Sequence, residues 1–223
     1  MEKFAVVVPV YNEEYNVLKL ASELEAKDIP FIMVDDGSTD KTATSLWMQD
    51  IPAMIYFPNR GKSYAIQLGA KMLRKEGYQW ILVCDADGQH SIDDIEKFDT
   101  ALLFNENEVD IIIGNRMWDK HSMPKIRRIT NKIMSWIVSK LARQNIPDSQ
   151  CGFRLIRASI FDQIDMKCEG FDGESELLIK ASRKGCKILS IPIKSIYYKK
   201  RRSKIRPLRD TIKFVKMLIS CSI

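Results

Sequence analysis

The chain is 223 residues long, with 35 Lys and Arg against 29 Asp and Glu and a formal net charge of +6. This length suits one domain that buries its core without staples, and no apolar stretch approaches the ~20 residues needed to cross a bilayer. The five cysteines, at 84, 151, 168, 186 and 221, form no CxxC pair and only two histidines accompany them; this argues against a zinc site and fits reduced thiols in a cytosolic protein.

The N-terminal MEKFAVVVPVYNEE has an apolar stretch too short for a secretory core and acids where a cleavage site would lie, so it reads as a strand. Four segments share one pattern: FAVVVPV runs into YNEE, FIMV into DDGSTD, WILVC into DADGQ and DIIIG into NRM. AMIYF (53–57) is a fifth candidate strand. Continuous rather than alternating apolarity indicates strands buried on both faces, as in a mainly parallel sheet. Helical spacing fills the intervals at 14–27, 40–49, 62–75 and 92–104, with Asp40 and Ser91 placed as N-caps. Such alternation predicts an α/β fold with right-handed crossovers. Ligands of these sheets bind beyond the carboxyl ends of the strands, so all four polar terminations fall on one edge.

After residue 115 the pattern changes. Residues 124–143 read as a long basic amphipathic helix, followed by the loop NIPDSQCG, a short strand FRLIR, a helix near 173–184 and a strand KILSIPIKSIYY. The last segment places Leu208, Ile212, Val215 and Ile219 on one helical stripe. No Gly/Ser-rich linker separates this half from the first, which predicts a single domain over 1–223.

Side chains at i, i+2 and i+4 of an extended backbone face one way, so Asp85, Asp87 and Gln89 present oxygens to one point beyond a strand. Mg²⁺ or Mn²⁺ takes one or two carboxylates and fills its other positions with water and phosphate oxygens. DADGQHSIDDIE also resembles a calcium loop, but its sixth position is His90 where that loop needs Gly. RGKS (60–63) ends like a P-loop, yet the first glycine of that motif would fall on Tyr56, so it reads as a helix start whose N–H groups could face an anion. In DDGSTD, a glycine turn before a helix, Asp36 could accept hydrogen bonds from a base or ribose. KIRR (125–128) and KKRRSKIRPLR (199–209) hold much of the excess positive charge and suit anionic partners.

Taken in order, PVYNEE, DDGSTDKT, NRGKSYAIQLG, DADGQH and GNR resemble the family-two glycosyltransferases. The resemblance implies a GT-A (Rossmann-like) fold, a mainly parallel sheet flanked by helices. DADGQH, KIRRITN, DSQCGF and SKIRP are most similar to the dolichyl- and polyprenyl-phosphate sugar (mannose) synthases of that family. It implies a nucleotide-diphosphate sugar donor, Mg²⁺ or Mn²⁺, inversion at the anomeric carbon, a donor half over 1–115 and an acceptor half over 116–223. Position by position, Pro9, Tyr11, Glu13, Val34 and Asp36 would hold the nucleoside, and Asp85, Asp87 and Gln89 the metal. Ala86 would lie beside the diphosphate, Arg116 and Lys204 would neutralise donor or acceptor phosphates, and Arg127 and Asn131 match acceptor-phosphate positions. Ser63 departs from a frequent glycine, and the paired membrane helices that follow this domain in some relatives have no counterpart within 1–223.

The implied chemistry needs charge stabilisation on a leaving nucleoside diphosphate, which a metal with Arg or Lys supplies. A hydroxyl acceptor would need a general base, sought at Glu174 or Glu176, whereas a phosphate acceptor is already anionic. The expected acceptor is a polyprenyl phosphate met peripherally at the cytoplasmic membrane face, with a saccharide hydroxyl as the alternative. A nucleic-acid-binding role is disfavoured, because aromatic residues do not interleave the basic runs.

Overall fold

A computed structural model describes residues 4–118, 123–168, 170, 172–196 and 207–222. Seven strands form one sheet: β1 (Phe4–Val10), β2 (Phe31–Asp36), β3 (Ala53–Tyr56), β4 (Trp80–Val83), β5 (Ile111–Asn115), β6 (Arg154–Arg157) and β7 (Ile188–Pro192), in the order β3-β2-β1-β4-β6-β5-β7. Every pairing is parallel except those of β6, which runs antiparallel to both β4 and β5. The expected α/β architecture is present. The apolar runs of β1, β4 and β5 are buried along almost their whole length, as strands covered on both faces must be.

The helices are α1 (Val17–Glu25), α2 (Thr42–Met48), α3 (Lys62–Lys75), α4 (Ile95–Asn105), α5 (Lys125–Ala142), α6 (Ile160–Gln163), α7 (Asp172–Arg183) and α8 (Pro207–Ser222). α3 lies close on β1 and β2 because Gly69 has no side chain: a Cβ there would sit 2.8 Å from Val7 and 2.9 Å from Val34. Asp40 stands one residue before the N-cap of α2, which is Lys41, and its Oδ1 accepts from the Thr42 N–H at 2.9 Å. Ser91 takes the N-cap position, but of a short 3-10 turn at Ile92–Asp94 and without a side-chain cap bond.

The tail of the chain also differs from expectation. Of the strand predicted over KILSIPIKSIYY, the described residues form β7 and a bridge from Ser195 to His90, and Tyr197 and Tyr198 lie outside them. α8 packs on α7 through Phe214, Met217 and Cys221, whereas Ile212, Val215 and Ile219 of the predicted stripe are exposed. Leu208 and Lys204 lie outside the residues whose side chains are described.

Because β1, β2, β4 and β5 run the same way, their polar terminations share one edge. Antiparallel β6 starts at that edge, so the preceding loop, 148–153, lies there too. The two halves of the chain therefore meet along the functional edge, and β6 of the second half sits between β4 and β5 of the first.

Candidate active site

The donor side begins at the ends of β1 and β2. Pro9 and Val34 are partners in that ladder, Val34 fully buried and Pro9 partly so. Beyond them Tyr11 is exposed, while Glu13 is buried and accepts from the Asn16 amide at 2.7 Å. Asp36 behaves differently from a residue open to a nucleoside. Its carboxylate accepts from the Tyr56 hydroxyl, the Asn59 amide and the Arg60 and Gly61 N–H groups, all at 2.7–2.8 Å. Asp36 thus holds the 59–61 loop in place, and with it the start of α3. The Tyr56 hydroxyl is kept protonated by burial and by its bond to Asp36.

The acidic motif follows β4. Ala86 is buried, whereas Asp87 and Gln89 are half-exposed at the mouth of the site. Asp87 Oδ1 accepts from the Gln89 N–H at 2.9 Å, which turns the motif back on itself. Asp85 points inward, its Oδ1 2.6 Å from Lys62 Nζ and its Oδ2 3.9 Å from His90 Nε2. Burial alone would raise its pKa, but the Lys62 ammonium and His90 hold it well below the usual carboxylate range. Close approach of the 148–153 loop depends on Gly152, where a Cβ would lie 2.3 Å from Asp85 Oδ2. His90 stacks on Phe153 with ring centroids 4.9 Å apart, and the Ile196 N–H donates to the Gln89 carbonyl at 3.0 Å. The chain leaving β7 is thereby fastened to the acidic motif one residue before YYKKRRSKIR.

Among the described residues, no three His, Cys, Asp or Glu side chains converge as a metal cage. Asp87 and Gln89, both half-buried beyond β4, are instead the oxygen donors suited to a divalent cation that would complete its shell with phosphate oxygens and water.

On the acceptor side, Arg116 is buried rather than open. It makes a bidentate pair with Asp148, Nε to Oδ2 at 2.8 Å and Nη2 to Oδ1 at 2.9 Å, and its N–H also donates to Oδ2. Its charge is matched within the protein, a geometry that differs from a cation awaiting phosphate. Arg154, also buried, donates to the carbonyls of Cys151, Ser149 and Glu174 and joins the 148–153 loop to α7. On α5, Arg127 is half-buried and Asn131 buried, its amide 3.8 Å from Met123 Sδ.

The two candidate bases are both engaged. Glu176 is fully buried and accepts from the Lys167 and Cys168 N–H groups and from Lys180 Nζ. Burial raises its pKa, but Lys180 and those N–H donors lower it further, to a net value below the ordinary one. Glu174 Oε2 lies 2.8 Å from Lys62 Nζ, with Arg154 Nη2 3.8 Å from Oε1. Lys62 and Asp148 are the residues that sequence reasoning missed. Lys62 had a signal, its place at a helix start on the functional edge; Asp148 stands first in DSQCGF, but its pairing with Arg116, 32 residues away, leaves no local trace.

A match to Glycosyl transferase family 2 runs over residues 5–165, from β1 past β6. The chain belongs to that family. It is 30% identical over 210 residues to a dolichyl-phosphate beta-glucosyltransferase of Trichomonas vaginalis, covering 85% of this chain and 64% of that protein. It is 26% identical to a UDP-N-acetylglucosamine–dolichyl-phosphate N-acetylglucosaminyltransferase of Methanococcus voltae, covering 86% of this chain and 85% of the relative. In fold it is similar to glucosyl-3-phosphoglycerate synthase from Mycobacterium tuberculosis, solved with Mn²⁺ and UDP-glucose. That likeness has a TM-score of 0.74 at 16% identity, covering 99% of this chain and 79% of the other.

Proposed function

We propose that this family-two glycosyltransferase moves a sugar from a nucleotide-diphosphate donor to a polyprenyl-type lipid phosphate, with inversion and with Mg²⁺ or Mn²⁺ bound. The observation that carries the acceptor assignment is the state of Glu174 and Glu176. A hydroxyl acceptor needs a carboxylate free to take its proton; Glu176 is buried under hydrogen bonds and Glu174 is ion-paired. A phosphate monoester arrives ionised and needs neither. Polyprenyl-phosphate transfer is also what the printed names of the Trichomonas and Methanococcus relatives describe. Those names give glucose and N-acetylglucosamine, so a UDP-linked sugar of that kind is the donor we favour over the mannose expected from sequence.

In this reading Asp87 and Gln89 hold the cation, which supplies positive charge to the diphosphate as it leaves. Pro9, Tyr11 and Val34 border the nucleoside, and Asp36 shapes the pocket by fixing the 59–61 loop. An acceptor phosphate oxygen attacks the anomeric carbon while the bond from that carbon to the diphosphate oxygen breaks. The products are the lipid-linked sugar phosphate and a nucleoside diphosphate. Lys204 and the basic run around it are assigned to the acceptor phosphate, together with Arg127 and Asn131 of α5.

A lipid acceptor places the enzyme at a membrane, and α5 supports peripheral contact. It has no acidic residue, and Ile126, Ile129, Ile133 and Trp136 lie exposed along one stripe beside Lys125, Arg128 and Lys132. Among the described residues no helix is long and apolar enough to cross a membrane. Amphipathic helices of this kind lie in the interface plane, here assigned to the cytoplasmic face.

The test is incubation of the protein and Mn²⁺ with UDP-glucose, UDP-N-acetylglucosamine or GDP-mannose, offering short-chain polyprenyl phosphate or a saccharide. Sugar on the lipid phosphate is the expected product. Transfer only to a saccharide hydroxyl would overturn the assignment and return Glu174 to consideration as base.

A further inference from the structure

Lys62 has no part in the mechanism above, yet its ammonium is largely enclosed on the functional edge. Its side chain is 13% exposed and its ammonium lies between two carboxylates, 2.6 Å from Asp85 and 2.8 Å from Glu174. Those carboxylates belong to different halves of the chain, Asp85 to the turn after β4 and Glu174 to the first turn of α7. Arg154 stands 3.8 Å beyond Glu174, so the row Asp85, Lys62, Glu174, Arg154 alternates in sign and is neutral in sum.

The start of Lys62 is fixed as firmly as its end. Asp36 takes the N–H groups of Arg60 and Gly61, and the next residue, Ser63, donates to the Gly170 carbonyl at 2.7 Å. The helix start is therefore tied to β2 on one side and to the approach of α7 on the other. An ammonium held between two carboxylates this close is committed to them.

We propose that Lys62 is a positioning residue that locks the acidic motif to α7, and that Asp85 is the partner of Lys62 rather than a ligand of the catalytic cation. On this view, which rests on the cation-dependent donor binding proposed above but not on the acceptor, Asp87 is the one carboxylate of the motif that the cation uses. Asp85 and Glu174 then hold the donor turn and the acceptor wall at a fixed separation. Buried carboxylates left without their cation repel each other and force that separation to change.

Two measurements on the full chain test this. The first is the dissociation constant of Mn²⁺ with UDP present, followed by the loss of the free Mn²⁺ resonance signal. Asp87→Asn should weaken Mn²⁺ at least about tenfold, the loss of a direct ligand, and Asp85→Asn by no more than about twofold. Equal weakening by both substitutions would make Asp85 a ligand and overturn that half of the proposal. Absence of any UDP-dependent Mn²⁺ binding by the wild type would overturn it as well, together with the donor reading.

The second needs no ligand. Urea midpoints are compared for Lys62→Met, Asp85→Asn, Glu174→Gln and the two double variants containing Lys62→Met. Lys62→Met should lower the midpoint, and each added neutralised carboxylate should recover part of the loss, a coupling that independent sites do not show. If Lys62→Met does not fold, recovery of a folded protein by Lys62→Met/Asp85→Asn carries the same information. Additive midpoints, or no recovery in either double variant, would overturn the lock. A purely structural Lys62 would also leave kcat on saturating donor and acceptor intact in any variant that folds. The positioning role predicts that kcat falls at least about tenfold in Lys62→Met, and that Lys62→Arg restores part of it.

Discussion

Truncating Arg116 to Ala would leave Asp148 fully buried without its guanidinium partner. Removing one member of a buried pair costs about 3–5 kcal/mol, because the charge that remains has nothing to offset its desolvation. Arg116→Ala should therefore lower the melting temperature sharply, and its loss of activity should follow the loss of folded protein. A variant that melts like the wild type yet fails to turn over would return Arg116 to a phosphate-binding role. Glu176 gives a second residue-level prediction, with a sign that pH can check. Its folded pKa is lowered, so the stability it contributes is present above the unfolded carboxylate value of about 4.3 and is lost as pH falls through the folded value. Glu176→Gln should be less stable than the wild type at pH 7, and the gap in urea midpoint should close on acidification below about pH 4. A gap that is the same at pH 3 and pH 7 would show that the charge on Glu176 does not matter. The cysteines make no comparable contribution: burial pushes the Cys151 thiol up to about 12, and all five are free and unpaired.

At the scale of elements, α5 and α8 each present an apolar stripe to solvent while packing on α7 with the opposite face. On α5 the stripe includes Ile126 at 82% exposure and Trp136 at 63%, on α8 Ile219 at 59%. If the basic flanks of α5 meet an anionic bilayer, each Lys or Arg contributes about 1 kcal/mol near the surface. Sedimentation with phosphatidylglycerol vesicles should retain the wild type at low salt, and Ile133→Ser/Trp136→Ser should release it without shifting the melting temperature, since both side chains are exposed. Retention unchanged by that pair would remove α5 from the membrane assignment. The same helices show where sequence patterns reach their limit. Helix α3 was legible to the residue, because its period and the glycine before it are local signals. α8 carries two apolar stripes, and periodicity cannot say that Phe214, Met217 and Cys221 turn inward while Ile212, Val215 and Ile219 do not. β6, four residues of Arg-Leu-Ile-Arg, was legible as a strand, but its antiparallel insertion depends on pairings with β5 and β4 that lie far away along the chain. The motif positions were legible at the sheet edge for the same reason the strands were, their apolar runs ending abruptly. The partners of Asp36, Asp85 and Arg116 were not, because hydrogen bonds and ion pairs across the fold leave no periodic trace.

For the whole molecule, the position of β6 decides how the chain unfolds. A donor half ending at residue 115 would lose β6 and β7, the strands that flank β5, and would leave the edge of β4 without its neighbour. Lys62, Asp85 and Glu174 bind the same seam by charge, and Arg154 lies 3.8 Å from Glu174. The chain should therefore melt in one calorimetric transition, with equal calorimetric and van't Hoff enthalpies. Nucleotide binding at the sheet edge must then stabilise all of it. UDP with Mn²⁺ at about 100 times the dissociation constant adds about 2.7 kcal/mol to the folded state, whichever half supplies the contacts. The single transition should move upward as one peak, UDP without Mn²⁺ should move it less, and Asp87→Ala should abolish the difference between the two. Because Asp87 is half-exposed at the mouth of the site, the variant alone should melt close to the wild type, which separates loss of cation from loss of fold. Two transitions, only one of them responding to nucleotide, would show that the halves fold independently despite the shared sheet. A shift of equal size with and without Mn²⁺ would show that the cation has no part in holding the donor.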